Sequence, residues 1–283
     1  MSDAPLIAFQ NVTYTYPHSG ARSGTPTNPA LEQLDLQVPA GEYLALLGQN
    51  GSGKSTLARH CNALLLPQQG HVLVTGLDTR EPAFQRSIRE TVGMIFQQPE
   101  NQIIATIVED DVAWALTVRG MPASEIVVRV NEALEAVGLS HLRKRSPQHL
   151  SGGQRQRLAI AGVLALRPRC IIADEATSQL DPLSRQEIVA LLHRLHQEYG
   201  LTIIHVTHLL EETVRAERVL VMEQGRIIMQ GTPAAIFADL ARLRALKLIV
   251  PEPLELAERL REAGIPIAST ALTEEAIAEE LTR

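Results

Sequence analysis

The residues of this 283-residue chain with the most specific chemistry form a glycine-rich loop that ends in lysine and serine. The loop is Gly48-Gln49-Asn50-Gly51-Ser52-Gly53-Lys54-Ser55, and it fits the phosphate-loop pattern G-x-x-x-x-G-K-[ST]. Its glycines let several backbone N–H groups point at one phosphate, while Lys54 and the Ser55 hydroxyl suit the β- and γ-phosphates and Mg²⁺. We expect a nucleotide site formed by Gly48, Asn50, Gly51, Ser52, Gly53, Lys54, Ser55 and Thr56.

An acidic pair follows an apolar segment later in the chain. Asp174 and Glu175 come directly after Cys170–Ala173, which we predict to be a buried strand. A carboxylate at the tip of such a strand, beside a phosphate loop, is placed to hold Mg²⁺ directly or through water. We give that role to Asp174, and we expect Glu175 to orient or deprotonate the water that attacks the γ-phosphate.

A second segment with paired glycines is Leu150-Ser151-Gly152-Gly153-Gln154. Ser151 is a good N-cap, and the glycines expose backbone N–H groups at the start of a helix predicted over Gln154–Leu166. The segment is therefore a second helix start that suits an anion.

The elements around these motifs indicate an α/β fold, because strands alternate with helices. The phosphate loop follows a predicted strand at Tyr43–Leu47 and precedes a helix from Ser55 to about Leu66. Residues 17–30 are rich in proline and glycine and are predicted to be a loop, and Glu223-Gln224-Gly225 indicates a hairpin turn. The other predicted strands are Leu6–Tyr16, Leu31–Val38, His71–Thr75, Val92–Phe96, Thr202–Val206, Leu220–Met222 and Arg226–Gln230, and the other predicted core helices are Ser124–Val137 and Pro182–Tyr199.

Composition limits the classes of function. The net charge is −6 and there is no basic tract, which argues against nucleic acid as a partner. Cys61 and Cys170 are expected to be small buried thiols rather than a disulfide. We find no secretion signal, and no apolar run approaches the ~18 residues that span a bilayer. The sequence thus indicates a cytosolic protein whose membrane role would need a separate partner.

The chain contains, in this order, the phosphate loop, the segment Leu-Ser-Gly-Gly-Gln and a strand that ends in Asp-Glu. It resembles in this the ATP-binding subunits of ABC transporters over nearly its whole length. The resemblance implies a P-loop ABC ATPase core with a mixed, mostly parallel sheet, an antiparallel β subdomain and a helical subdomain at about residues 99–167. It places the nucleotide-binding domain at residues 1–235 and a small helical C-terminal extension at residues 236–283. It also implies that the chain binds ATP with Mg²⁺ and hydrolyses the ATP.

The resemblance implies roles for residues outside these motifs. Gln97 matches the Q-loop glutamine, a ligand of Mg²⁺ and water that senses the membrane partner, and Gln98 is the neighbouring alternative. His208 matches the switch histidine that contacts the γ-phosphate, whereas His205 in the preceding strand is expected to be structural. Catalysis would then depend on Lys54, Gln97, Glu175 and His208, and Mg²⁺ would be held by Ser55, Gln97 and Asp174.

Three further expectations concern a tyrosine, an aspartate and a pair of histidines. Tyr16 matches the aromatic residue that stacks on adenine, and Tyr14 is the alternative. Asp181 matches the D-loop, a further contact to the nucleotide. His193 and His196 lie close together in a predicted helix, and we expect them on the solvated surface rather than at a metal.

In this family the Leu-Ser-Gly-Gly-Gln loop closes over the nucleotide of a second subunit, so a head-to-tail dimer with two ATP molecules between the subunits is implied. Ser151, Gly152, Gly153 and Gln154 would bind the nucleotide of the other subunit. ATP would close the dimer and hydrolysis would open it. A homodimer and a heterodimer both fit the sequence.

Several segments are similar to the energy-coupling factor (ECF) group of vitamin and metal-ion importers. These segments are Phe96–Gln102, Val108–Ala113 and Glu175–Ser178. Two predicted tail helices at Pro253–Ala263 and Thr273–Leu281 resemble the C-terminal extension of ECF ATPases, which takes part in subunit contacts. The alternative for the tail is a surface appendage that only covers the core.

The ECF resemblance implies a motor subunit at the cytoplasmic face of the membrane that powers uptake of a vitamin or a transition-metal ion. Its partners would be a second ATPase subunit, a transmembrane coupling subunit and a substrate-binding membrane subunit. The coupling helices of this group carry arginines, and we expect some of the acidic residues Glu109, Asp110 and Asp111 to pair with one of them.

Other readings of the same motifs are weaker. ATPases of conventional importers lack this type of tail and the Gln-Pro-Glu-Asn-Gln run, and ABC ATPases that act on DNA or ribosomes usually carry a coiled-coil insertion or two nucleotide sites. An inactive nucleotide-binding scaffold is disfavoured by the presence of Lys54, Asp174, Glu175 and His208.

Overall fold

The structure is a computed structural model that describes residues 4–17, 28–268 and 271–282. Most of the predicted loop at residues 17–30 lies outside the described residues. The described strands are β1 Ile7–Tyr14, β2 Leu31–Val38, β3 Tyr43–Gly48, β4 Gln69–Val74, β5 Leu77–Asp78, β6 Val92–Ile95, β7 Cys170–Asp174, β8 Thr202–Thr207, β9 Arg218–Glu223 and β10 Arg226–Gly231. The described α-helices are α1 Lys54–Cys61, α2 Pro82–Thr91, α3 Val108–Val118, α4 Ala123–Ala136, α5 Gly152–Leu164, α6 Pro182–Tyr199, α7 Pro233–Phe237, α8 Leu240–Ala245, α9 Glu252–Glu262 and α10 Glu274–Leu281.

A six-stranded sheet in the order β10-β9-β3-β8-β7-β6 forms the centre of the fold. Its pairs are parallel except for the edge pair of β9 and β10. Strands β3, β7 and β8 are buried at every position, as expected for parallel strands that are covered on both faces. A second, antiparallel sheet has the order β2-β1-β4-β5. The predicted combination of a mostly parallel sheet and an antiparallel subdomain is confirmed.

The chain between β6 and β7 is helical, which agrees with the helical subdomain predicted near residues 99–167. Helix α3 buries Val108, Val112 and Leu116, which lie one turn apart on a single face. This face belongs to the same hydrophobic cluster as Leu134 of α4 and Leu158 of α5. The subdomain is therefore joined to the main core by continuous apolar packing.

The C-terminal helices pack in two ways. Phe237, Leu243 and Leu254 belong to the main hydrophobic cluster, whereas Ala257 and Ile277 belong to a small separate cluster near the end of the chain. The domain boundary at residue 235 stays a prediction. Among the described residues, no helix has both the length and the apolar character needed to cross a membrane.

Some predicted elements differ from the structure for local physical reasons. Helix α1 ends at Cys61 rather than near Leu66, because Asn62 caps it and Ala63 adopts a positive φ of 55°. Helix α2 has only Ile88 buried, so it shows little of the apolar periodicity from which helices are predicted. The predicted hairpin turn is confirmed by the antiparallel pairing of β9 and β10.

Candidate nucleotide-binding and catalytic site

The phosphate loop and the acidic pair lie at the same edge of the central sheet. Strand β3 leads into the phosphate loop, β7 ends at Asp174, and β8 lies between these two strands and ends at Thr207. Because β3, β7 and β8 are parallel, their carboxyl ends share one edge, where open α/β sheets bind ligands. The topology therefore brings together segments that are far apart in the chain.

The phosphate loop requires glycine at Gly53. This residue caps α1 with a φ of 107°, and a Cβ atom there would lie 2.5 Å from the carbonyl oxygen of Ala30. Gly51 also has a positive φ, of 83°, although a Cβ atom there would meet open space. The path of the loop backbone thus depends on the positive φ angles of its glycines and on the close packing of Gly53 at its C-terminal end.

Lys54 is held inside the loop. Its side chain is 3% exposed, and its Nζ donates to the carbonyl oxygens of Gly48 at 2.8 Å and Gln49 at 2.9 Å. Burial lowers the pKa of Lys54, and the nearby charges of Glu175 and Asp174 act in the opposite direction. The ammonium group lies 3.7 Å from Glu175 Oε1, so the predicted phosphate-binding lysine and the predicted catalytic base are neighbours.

Two of the three residues predicted to bind Mg²⁺, Ser55 and Asp174, lie in direct contact. Ser55 Oγ donates to Asp174 Oδ1 at 2.8 Å, and Asp174 is 5% exposed. Burial raises the pKa of Asp174, and the hydrogen bond from Ser55 opposes this effect. A carboxylate and a hydroxyl are hard oxygen donors that fit Mg²⁺, which usually keeps water and phosphate oxygens as its remaining ligands. No cluster of three or more histidine, cysteine or acidic residues suited to a metal occurs within the described ranges.

Glu175 has a strained backbone at the end of β7. Its φ is 50°, which is uncommon for a residue with a side chain, and its N–H donates to the carbonyl oxygen of Val206 at 3.0 Å. The N–H and the hydroxyl of Ser178 both donate to the carbonyl oxygen of Glu175. These bonds hold the chain in a tight turn after β7 and fix the direction in which the Glu175 side chain leaves the sheet.

The predicted Q-loop glutamine follows β6 and is exposed to solvent. Gln98, the alternative, accepts a hydrogen bond from Asn101 Nδ2 at 3.0 Å. The turn is held by Gln102, which accepts from the Phe96 N–H at 2.8 Å and donates to the Met94 carbonyl oxygen at 3.0 Å. Sequence reasoning missed this bond pair, since only the folded turn brings Gln102 back to the strand end.

The histidines occupy distinct environments. His208 follows β8, and its Nδ1 is buried without a hydrogen-bond partner among the described residues. His205 is fully buried beside Tyr43, as expected for a structural residue. The expectation of a solvated surface is wrong for His196, which is 6% exposed and whose Nδ1 lies 2.9 Å from the Leu201 carbonyl oxygen. Its aromatic neighbour Tyr43, far away in the sequence, makes this burial favourable.

Tyr14 and Tyr16 lie next to α1. Tyr14 is 8% exposed and packs edge-on against His60, whereas Tyr16 is 40% exposed. The Tyr16 hydroxyl lies 3.2 Å from Thr56 Oγ1 in the first turn of α1. Of the two rings, that of Tyr16 is thus the one open to solvent beside the phosphate loop.

The Ser-Gly-Gly-Gln segment begins α5 with a capping box. Ser151 Oγ accepts from the Gln154 N–H at 3.2 Å, and Gln154 Oε1 accepts from the Ser151 N–H at 3.0 Å. A Cβ atom on Gly153 would lie 3.0 Å from Ser184 Oγ, so this segment packs against the start of α6, which Asp181 caps. Within the described ranges, no hydrogen bond or ion pair joins it to the phosphate loop of the same chain.

Two further contacts near the site have no signal in the sequence. The Thr177 hydroxyl donates to Glu212 Oε1 at 2.6 Å in the core. Gln49 Nε2, in the phosphate loop, donates to the Lys247 carbonyl oxygen at 3.0 Å, beyond the end of α8. Both pairs join residues that no local pattern relates.

The phosphate loop follows a central strand, and the acidic pair lies at the end of a nearby parallel strand. The helical subdomain ends in a capped helix that begins with Gly-Gly. Together these features define an ATP-binding cassette. The family described as ABC transporter matches residues 31–178. The chain is 53% identical to the energy-coupling factor transporter ATP-binding protein EcfA1 of Symbiobacterium thermophilum, over 98% of this chain and 96% of the relative. It is 45% identical to the EcfA1 of Caldanaerobacter subterraneus, over 98% of this chain and 99% of the relative.

Solved structures give the same result. The structure of cbiO1 from Clostridium perfringens, part of the ABC transporter complex cbiONQ, has a TM-score of 0.77 and 34% identity over 90% of this chain and 99% of that one. The ATP-binding cassette MJ0796, a dimer bound to ADP and Pi, has a TM-score of 0.70 and 31% identity over 80% of this chain and 98% of that one. The chain therefore belongs to the ATP-binding proteins of ABC transporters, in the energy-coupling factor group. The predicted family, fold class and ATPase activity are confirmed.

Proposed function

We propose that this chain is the ATP-hydrolysing motor subunit of an ECF-type importer and that Lys54, Ser55, Gln97, Asp174, Glu175 and His208 form its catalytic site. The observation that supports these roles best is the meeting of the phosphate loop with the acidic pair. Ser55 lies 2.8 Å from Asp174, and Lys54 lies 3.7 Å from Glu175. These contacts bring two candidate metal ligands next to a phosphate-binding lysine and a candidate base, which are the groups that metal-assisted phosphoryl transfer uses.

In the proposed reaction, Lys54 and the loop N–H groups bind the β- and γ-phosphates. Ser55, Asp174 and Gln97 would hold Mg²⁺, and the ion would neutralise charge on the phosphate oxygens when bound. Glu175 orients the attacking water and accepts its proton, and His208 contacts the γ-phosphate. The strained turn at Glu175 contributes because it holds the carboxylate in one direction.

The active unit is proposed to be a head-to-tail dimer. Ser151 and Gly153 would contact the γ-phosphate bound to the second subunit, and Gly152, Gln154 and Asp181 would complete that surface. Within the described residues, no hydrogen bond or ion pair joins Ser151–Gln154 to the phosphate loop, which supports this arrangement. The dimeric cassette MJ0796 supports a second ATPase subunit, which is either a second copy or a related chain.

The membrane partners are proposed to be a transmembrane coupling subunit and a substrate-binding subunit for a vitamin or a transition-metal ion, at the cytoplasmic face. Of the acidic run, Glu109 already pairs with Arg143 at 2.8 Å and with Lys144. Asp111 Oδ1 accepts from the backbone N–H groups of Ile104 and Ala105. Asp110 is exposed, so it is the carboxylate that we propose for the arginine of a coupling helix.

The proposal is tested by purifying the tagged full-length chain from gently solubilised native membranes and measuring ATP hydrolysis by the complex. We expect a second ATPase subunit, a transmembrane subunit and a small membrane protein to copurify. Glu175→Gln should bind ATP with an affinity similar to that of the unmodified chain and lose nearly all turnover. Recovery of a conventional permease pair would refute the ECF assignment, and full turnover in Glu175→Gln would refute the role of Glu175.

A further inference from the structure

A buried carboxylate joins the loop that contains Glu175 to the strand that leads to His208. Glu212 is 3% exposed and lies in the 3₁₀ turn Leu210–Thr213, which follows His208. The hydroxyl of Thr177 donates to Glu212 Oε1 at 2.6 Å, and Thr177 is 1% exposed. Because Thr177 belongs to the tight turn that begins at Glu175, one oxygen of Glu212 is fixed to that turn.

The second oxygen of Glu212 faces β8. Glu212 Oε2 lies 3.3 Å from His205 Nε2, and both atoms are buried and make no well-aligned hydrogen bond among the described residues. On its other side, His205 Nδ1 lies 3.2 Å from the Tyr43 hydroxyl. The two ring nitrogens of His205 thus face Glu212 on one side and Tyr43 on the other.

The same carboxylate is close to α6. Arg185 Nε lies 3.7 Å from Glu212 Oε1, and the backbone N–H of Arg185 donates to the carbonyl oxygen of Asp181. Burial disfavours the charge of Glu212, but His205 and the hydrogen bond from Thr177 outweigh it and lower the pKa of this carboxyl. Glu212 thus lies against the turn after Glu175, the first turn of α6 after Asp181, and the strand before His208.

We propose that Glu212 is a positioning residue for ATP hydrolysis, which acts through Thr177 and His205 to fix the Glu175 turn relative to the strand before His208. The inference rests on the proposed function. A buried carboxylate that lies against Thr177, His205 and Arg185 links the segments that carry these residues, and catalytic groups need support of this kind to keep their geometry. Removing the contact should therefore slow hydrolysis more than it weakens ATP binding.

The test uses the full-length chain in its purified complex and compares Thr177→Val, Thr177→Ser and Glu212→Gln. Valine keeps the shape of threonine and removes the hydroxyl, while serine keeps the hydroxyl. Glu198→Gln is the control, because Glu198 is an exposed acidic residue near the end of α6 and pairs with Arg194 rather than with the residues around Glu212. For each variant, kcat and KM for ATP, the Kd of ATP and the melting temperature are measured.

We expect kcat to fall about 10- to 100-fold in Thr177→Val and Glu212→Gln, as is typical when groups that orient a catalytic site are removed. The Kd of ATP should change little, and Thr177→Ser and Glu198→Gln should keep nearly full turnover. Thr177→Val combined with Glu212→Gln should be no slower than the slower single variant, because both act through one contact.

Two results would overturn the inference. One is full turnover in Thr177→Val and Glu212→Gln, and the other is a Thr177→Ser variant as slow as Thr177→Val, which would assign the loss to packing. If Thr177→Val has a lowered melting temperature, Glu212→Gln and Thr177→Ser decide the question. An unmodified complex without ATPase activity would instead refute the proposed function, so the two failures are distinguishable.

Discussion

The Ser55 hydroxyl donates to Asp174 Oδ1 at 2.8 Å across a separation of 119 residues. Ser55 lies in the first turn of α1 and Asp174 ends β7, so the bond connects the phosphate loop to a strand that does not pair with β3. Two oxygen atoms at this distance, on two rigid elements, suit a shared small hard cation. The relationship leads to separate predictions for each partner.

Ser55→Ala should weaken Mg²⁺-dependent nucleotide binding without unfolding the protein. The variant removes one proposed metal ligand and leaves the Asp174 carboxylate in place. We expect the Mg²⁺ concentration for half-maximal ATPase activity to rise about tenfold, and kcat to fall. Ser87→Ala, at an exposed serine of α2, is the control. An unchanged Mg²⁺ titration in Ser55→Ala would remove Ser55 from the metal site.

Asp174→Asn should abolish hydrolysis and yet stabilise the protein in the absence of nucleotide and Mg²⁺. Burial raises the pKa of Asp174 above its unfolded value, so ionisation of this group costs stability at neutral pH. The variant avoids that cost, and its melting temperature should rise by about 2–4 °C for each kcal/mol removed. The cost of ionising Asp174 decreases as the pH falls through the raised pKa. The difference in melting temperature between Asp174→Asn and the unmodified chain should therefore disappear below about pH 4.

The control for this prediction is Asp181→Asn. Hydrogen bonds from Ser184 lower the pKa of Asp181, so its charge is favoured in the folded chain. The melting temperature of Asp181→Asn should therefore not rise at neutral pH. A decrease in melting temperature for Asp174→Asn in the nucleotide-free protein would contradict the assigned burial cost.

Gly53→Ala should be more harmful than the same change at another glycine with a positive φ. Gly53 has a φ of 107° and its Cβ would lie 2.5 Å from the Ala30 carbonyl oxygen, whereas Gly120 has a φ of 72° and no atom within 4 Å. Gly120→Ala carries the backbone strain alone, and Gly53→Ala adds a clash of about 1–3 kcal/mol. Thermal unfolding of both variants checks this, and equal losses would mean that the loop shifts to accept a methyl group.

The local structure of the phosphate loop and of the Ser151 helix start could be predicted from the sequence because each is a local pattern with a fixed geometry. The phosphate loop needs a strand before it and a helix after it, and both are found at the predicted places as β3 and α1. The capping box of Ser151 and Gln154 is likewise a contact between near neighbours. Contacts between residues that are close together in the chain can be predicted from the sequence.

Contacts between distant segments could not be predicted in the same way. Thr177 and Glu212, or Gln49 and Lys247, meet only because of the strand order and the course of the C-terminal helices. The burial of His196 beside Tyr43 has the same origin, and it overturned an expectation based on helical spacing alone. Helix α2 was not predicted because it is mostly exposed and buries too few residues to show an apolar periodicity.

Asp110→Asn should weaken assembly with the transmembrane subunit. Glu109 and Asp111 are bonded within the chain, so Asp110 is the member of the acidic run available to a cationic partner. We expect less copurified membrane subunit, and a deficit that shrinks as salt screens the remaining charges. Glu132→Gln, at an exposed acidic residue of α4, is the control. Equal recovery and equal coupled ATPase activity in Asp110→Asn would exclude this role.

Tyr16→Ala should weaken ATP binding through loss of stacking on adenine. Tyr16 is 40% exposed beside α1, whereas Tyr14 is 8% exposed and packs against His60, so its ring has no free face for a base. A base on an aromatic ring is worth about 1–3 kcal/mol, so we expect the Kd of ATP to rise about tenfold or more. Tyr16→Phe keeps the ring and loses only the contact with Thr56, and should bind nearly as the unmodified chain does.

The effect at Tyr16 should be specific to the base. Inorganic tripolyphosphate uses the phosphate loop but has no adenine, so its affinity should be similar in Tyr16→Ala and the unmodified chain. Calorimetric titration of both ligands separates stacking from a general disturbance of the loop. If Tyr16→Ala weakens both ligands equally, Tyr16 acts on the loop through Thr56, and if it weakens neither, the adenine lies elsewhere.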